Sequence, residues 1–138
     1  MLKLTAPRIL ARNRHYCRKT GLDDRSLARC RKLIERALAG GRHLTRAELA
    51  AVLDRAGIPG AGVRLAYLVM DAELEGVICS GPRLGKQFTY ALLEERAPKT
   101  RALTNDEALA ELTKRYFASH GPATLRDFVW WSGLTVKL

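Results

Sequence analysis

Along positions 1–75, apolar residues recur every three or four places, the spacing that gathers them on one face of an α-helix. A first helix is expected from about Pro7 to Lys19, with Thr5 as its cap, proline in its first turn and Gly21 beyond its end. A second runs from about Asp24 to Ala39 on the stripe Leu27, Cys30, Ile34 and Leu38, closed by Gly40-Gly41. The third is marked by Thr45-Arg46-Ala47-Glu48, a capping box flanked by Leu44 and Leu49 as a hydrophobic staple. Its buried stripe is Leu49, Val52, Leu53 and Ala56. Ile58-Pro59-Gly60 then turns the chain into a fourth helix, Ala61 to Glu75, with Leu65, Leu68, Val69 and Ala72 inward. Two helices joined by a tight Gly/Pro turn form a helix-turn-helix pattern.

Beyond Gly76 the period shortens. Val77 to Ser80 and Gln87 to Leu93 read as strands joined by the hairpin loop Gly81-Pro82-Arg83-Leu84-Gly85-Lys86. A linker around Pro98 leads to a helix capped by Thr104 and Glu107, with Leu109, Leu112 and Tyr116 as its stripe. After His120-Gly121-Pro122 a last short helix opens at Thr124-Leu125-Arg126-Asp127 and carries Phe128, Val129, Trp130 and Trp131. The caps at Thr45 and Thr124 share one design, each after a longer helix and a glycine-containing break. The fold class expected is therefore mainly α with a small β-hairpin (α+β): a winged helix-turn-helix followed by the first helices of an incomplete second winged-helix unit. The boundaries are 1–22 for a basic N-terminal helix, 23–95 for the winged-helix domain, 96–105 for a linker and 106–138 for the incomplete second unit.

Composition changes this picture chiefly through charge. The net charge is +10 over 138 residues, and residues 1–43 hold 12 Lys/Arg against 3 Asp/Glu, while the rest of the chain is nearly balanced. Such asymmetry suits a face that meets a polyanion, because each phosphate contact releases condensed counterions. A solvated helix surface that only aids solubility fits the same charges. Cys17, Cys30 and Cys79 are an odd number without a Cys-x-x-Cys pair, so neither a disulfide framework nor a zinc site is expected, and no cofactor. No apolar run approaches the roughly 20 residues that cross a bilayer, and the N-terminus turns basic too soon for a secretory signal. With its Ala- and Arg-rich usage, the chain reads as bacterial and cytoplasmic, compatible with use on the nucleoid.

The second helix of a helix-turn-helix commonly enters the major groove. Its exposed stripe here would be Gly60, Arg64, Tyr67, Asp71 and Glu75. Arg64 and Tyr67 suit phosphate or base contacts, whereas Asp71, Glu73 and Glu75 would repel phosphates, so backbone binding with weak sequence preference is expected. Arg83 and Lys86 at the wing tip are further phosphate contacts. Arg8, Arg12, Arg14, Arg18 and Lys19 supply the largest electrostatic contribution, or else a surface that packs on another part of a larger protein. His15, His43 and His120 lie far apart with no nucleophile nearby, and the acids of the fourth helix fall on successive turns, so no catalytic residue and no metal site is assigned. Trp130 and Trp131 are core or interface residues. An incomplete domain would leave them exposed, which favours a homodimer through the C-terminal helices.

The segments Leu4-Thr5-Ala6-Pro7-Arg8 and Leu44-Thr45-Arg46-Ala47-Glu48-Leu49, and above all the run from His120-Gly121-Pro122-Ala123-Thr124 through Trp130-Trp131-Ser132-Gly133-Leu134, resemble a bacterial winged-helix DNA-binding family. That family includes the AlkZ/YcaQ-like glycosylases, which unhook DNA interstrand crosslinks. The resemblance covers essentially the whole chain, yet only the middle of the longer family members. It implies double-stranded DNA as partner and a link to DNA repair. The family's proposed catalytic element is a Gln-x-Gln or Gln-x-Asp motif, and the one glutamine here, Gln87, stands alone. A glycosylase fragment that needs other segments, and a protein-interaction winged helix, remain the alternatives to a non-catalytic DNA-binding module.

Overall fold

Leu27, Cys30, Ile34 and Leu38 are all buried on one helix, and the first compact unit of the protein assembles around them. The structure is a computed structural model and describes residues 2–98 and 101–135. Its helices are α1 (Leu2–Lys19), α2 (Asp24–Leu38), α3 (Arg46–Arg55), α4 (Gly62–Leu74), α5 (Leu93–Arg96), α6 (Asn105–Ser119) and α7 (Leu125–Ser132). The strands are β1 (Leu44–Thr45), β2 (Ile78–Ser80) and β3 (Thr89–Leu92), in the antiparallel order β1-β3-β2. The architecture is mainly helical α+β, and a helix-turn-helix inserted between β1 and a β2–β3 hairpin is consistent with a winged-helix-like fold.

The chain divides into two compact units, Leu10–Thr100 and Met1–Ile9 with Arg101–Leu138. In the first, the α2 stripe meets Leu49 and Leu53 of α3 and Leu65, Leu68, Val69 and Ala72 of α4, with Ile78 and Leu92 closing the core from the sheet. All four residues expected inward on α4 are buried. At roughly 25 cal/mol per Å² of apolar surface removed from water, this continuous cluster is the main favourable term for the unit. The second unit has a smaller core of Leu112, Tyr116 and Phe128, joined by Leu4, Ala123 and Leu134.

Capping chemistry sets the helix starts. Thr45, Thr104 and Thr124 each accept a hydrogen bond from the backbone N–H three residues on, while the carboxylates of Glu48, Glu107 and Asp127 accept from the three cap N–H groups. These hydrogen bonds hold the Glu48 and Asp127 carboxyls below their ordinary range. All three boxes are legible in the sequence.

Three expectations change. The sheet has three strands, because Leu44 and Thr45 pair with Tyr90 and Thr89 of β3; a two-residue strand leaves no alternation to read. The first helix starts at Leu2 and keeps Pro7 inside it, so Thr5 is not its cap. Pro7 stands in the second turn and forfeits the backbone hydrogen bond to the Lys3 carbonyl, while the early turns bury Ala6 and place Leu4 against the small core. On α6 the inward residues are Ala108, Leu112 and Tyr116, while Leu109 is exposed. Of the two tryptophans expected in a core or an interface, Trp130 is 86% exposed, while Trp131 is about half exposed and lies against Tyr116 and Phe128 with ring centroids 4.9 and 6.4 Å away.

Leu53 is wholly buried. Leu53→Ala is expected to destabilise the protein by about 3 kcal/mol, the usual combined transfer and cavity cost. Removing the exposed cap with Thr124→Ala should cost about 1 kcal/mol. Urea unfolding followed by circular dichroism measures both, and an equal loss in the two variants would contradict the burial assigned to Leu53.

Candidate nucleic-acid interface

Polar positions on the inner edge of α4 determine which cations of the first unit are free. Asp71 follows Leu68 by three residues, which carries its carboxylate toward the core, and it is only 5% exposed. Arg31 of α2 donates a short hydrogen bond to it from Nη1. Burial pushes the Asp71 carboxyl above its ordinary value, and the bond and charge of Arg31 oppose that rise. Glu75, one turn further along α4, lies 3.9 Å from both Arg31 and Arg14. Arg14 of α1 also reaches Asp24 at 3.5 Å. Beside these ion pairs Tyr16 stacks on Tyr67 with ring centroids 6.4 Å apart, and the Asn13 amide donates to the Met70 sulfur at 2.8 Å. The later turns of α1 thus cover one face of α4.

That cover corrects the exposed stripe expected on the helix after the turn. Gly60 and Asp71 are buried, and Arg64 and Tyr67 are half-buried, which leaves Glu75 as the exposed member. Periodicity alone could not reveal this, because the partner face lies in a helix some fifty positions earlier. The Arg64 Nε is buried without a hydrogen-bond partner among the described residues, and its guanidinium approaches Gly21.

The remaining candidate cations face solvent. Arg12, Arg18 and Lys19 are exposed on α1, and none forms an ion pair among the described residues. Arg8 is exposed as well, with its guanidinium donating to the Gly133 carbonyl at 2.6 Å. Sequence reasoning left α2 out of the candidate set, yet Arg25, Arg29, Lys32 and Arg36 line one open groove of about 500 Å³ along it. Their spacing of four, three and four residues is the signal that could have found that ridge.

Arg83 and Lys86 stand at the tip of the β2–β3 hairpin. Leu84 and Gln87 exchange backbone hydrogen bonds of 3.1 and 3.0 Å around the two-residue turn Gly85-Lys86. Gly85 has φ +60°, which a two-residue turn with glycine in its first central position requires. At the base of the hairpin the Thr89 hydroxyl donates to the Pro82 carbonyl. A Cβ on Gly81 would fall 2.5 Å from that hydroxyl, so glycine is needed for the close approach.

Among the described residues no three His, Cys, Asp or Glu side chains gather to hold a metal ion. Cys17 and Cys30 are buried, and burial pushes the Cys30 thiol up to about 12, so it stays protonated. No helix among the described residues is long and apolar enough to cross a membrane.

The DNA glycosylase AlkZ-like family is matched over residues 1–138, and the chain belongs to that family. Among solved structures the fold is similar to that of Streptomyces sahachiroi DNA glycosylase AlkZ, with a TM-score of 0.65 and 23% sequence identity over 86% of this chain. The chain spans 33% of that relative's length. No curated protein matches it.

The Arg31–Asp71 pair yields a prediction with a defined sign. Arg31→Met leaves Asp71 buried and unpaired and is expected to cost about 3 kcal/mol near neutral pH. With its folded pKa above the unfolded one, Asp71 binds its proton more readily in the folded state, so its contribution to stability increases as pH falls. The variant should therefore recover part of its deficit relative to the parent on acidification. Urea midpoints across a pH series measure this, and a deficit that grows toward low pH would contradict it.

Proposed function

We propose that this chain is a DNA-binding winged-helix module of DNA repair that grips the phosphate backbone of double-stranded DNA with little sequence preference. The observation that carries the reading is the division of charge around α4. Asp71 of that helix is met by Arg31, and Glu75 just beyond it by Arg14 and Arg31, while Arg12, Arg18 and Lys19 of α1 and Lys86 of the wing are exposed and form no ion pair among the described residues. Anions drawn to these cations release counterions on binding, which favours phosphate over base edges as the partner. Membership of a DNA glycosylase family supports the link to DNA and its repair.

In this reading residues 23–95 are the winged-helix domain and 1–22 its basic leading helix, with 96–105 a linker and 106–138 the start of a second such unit. Arg8, Arg12, Arg18, Lys19, Arg83 and Lys86 contact phosphates. Arg14, Arg64 and Tyr67 contribute from the edge of the covered α4 face, where their burial limits them to backbone approach. Use in the bacterial cytoplasm, on the nucleoid, follows from the same reading.

Two further readings rest on particular observations. The family favours a part of a DNA glycosylase that excises a base only together with other segments, since Gln87 is the sole glutamine in the sequence and no Gln-x-Gln or Gln-x-Asp pair is present. The exposed Trp130 and Trp131 favour a homodimer through α7.

A salt series of duplex binding tests the main reading. Affinity is expected to fall linearly on a log–log plot with salt, by about 0.9 units of slope per phosphate contact. Replacing Arg12, Arg18 and Lys19 together with alanine should lower the slope by up to about 3 units without unfolding the protein, because all three are exposed. Absence of binding at low salt, or binding indifferent to salt, overturns the reading.

A further inference from the structure

The wing tip carries more than charge. Leu84 is 63% exposed and Phe88 is 66% exposed, and they flank the two-residue turn that holds Lys86. Single apolar side chains on a surface are ordinary. Two large ones at the end of one projecting hairpin, between cations, are a different arrangement. Arg83 places its guanidinium carbon 4.3 Å from the centre of the Phe88 ring, a cation–π contact that steadies the ring where it stands in solvent. The hairpin beneath is firm, tied by the Leu84–Gln87 exchange, the Gly81 N–H bond to the Thr89 carbonyl at 2.8 Å, and the Thr89–Pro82 bond. Beside Phe88 an open groove of about 590 Å³ runs toward the start of α3, lined among others by Arg46, Glu73, Lys86 and Tyr90.

We propose that Leu84 and Phe88 form an apolar wedge that stacks against base faces at a loosened step of duplex DNA, with Arg83 and Lys86 holding the flanking phosphates. The inference rests on the DNA-binding reading above and goes beyond it, since phosphate grip alone gives no use for exposed apolar groups. Charge complementarity selects the occupant. An apolar tip bracketed by Arg83 and Lys86, on a chain of net charge +10, fits a surface that offers flat apolar faces between anions, and unstacked bases between phosphates are such a surface. The rigid turn limits the ordering cost, because the wedge need not be assembled on contact.

The test uses the full chain and duplexes in which 2-aminopurine, bright when unstacked, replaces adenine at successive positions. The parent protein is expected to raise the fluorescence severalfold at one or a few positions while binding with a steep salt dependence. The double variant Leu84→Ser/Phe88→Ala should bind about tenfold more weakly, keep the salt slope and lose the fluorescence rise. Both positions are exposed, so its unfolding midpoint should match the parent's, and the single variant Phe88→Leu provides a milder check. Salt-dependent binding with no fluorescence change, and unaltered affinity in the double variant, overturns the wedge and leaves the DNA-binding reading standing. Absence of duplex binding by the parent overturns both. A self-association that light scattering detects and the double variant abolishes, with no fluorescence response to DNA, assigns the tip to a protein contact and also overturns the wedge.

Discussion

Burying Asp71 on α4 is tolerable only with a cation at its side, and Arg31 meets that condition. An unpaired ion in that position would cost several kcal/mol, so α2 and α4 can pack only in the register that brings the two together. Glu75, one turn on, adds a longer 3.9 Å pair to Arg14 at the edge of the face that the later turns of α1 cover. The apolar cluster provides most of the driving force for the unit, but it is tolerant of small shifts.

These ion pairs also decide where a polyanion can be met. A helix following a tight turn would ordinarily present its outer stripe to the major groove. Here that stripe is largely covered by α1, and its acids are neutralised from within the fold. The positive charge left over lies on α1, on the ridge of α2 and at the hairpin tip, well suited to backbone contacts that carry no sequence information. The family to which the chain belongs gives that distribution a setting in DNA repair.

Local signals in the chain were strong wherever one element could be read alone. The capping boxes at Thr45, Thr104 and Thr124 and the buried stripes of α2 and α4 depend on residues a few positions apart, and they appear in the structure as expected. What stayed hidden depends on distant partners. The strand at Leu44–Thr45 exists only through its pairing with β3, and the burial of Asp71 and Tyr67 only through α1 and α2. Pro7 misled because proline's preference for a first turn was taken to mark the helix start, whereas the helix begins at Leu2 and carries the proline inside it. The candidate cations were legible as a set from charge density, but which of them stay unpaired was not. Phe88 was hidden by a different cause: Gln87 to Leu93 read as one strand, whereas β3 begins at the buried Thr89 and leaves Phe88 exposed in the hairpin before it.

Thr45 serves two masters in the backbone. It is the last residue of β1, across from Thr89, and at the same time the cap that starts α3. Thr89 in turn holds the foot of the hairpin through Pro82. The hairpin and the helix-turn-helix are therefore not separable modules. Transplanting this hairpin onto another helical scaffold would require a strand partner in place of Leu44 and Thr45, and here the second of these is also the residue that starts α3.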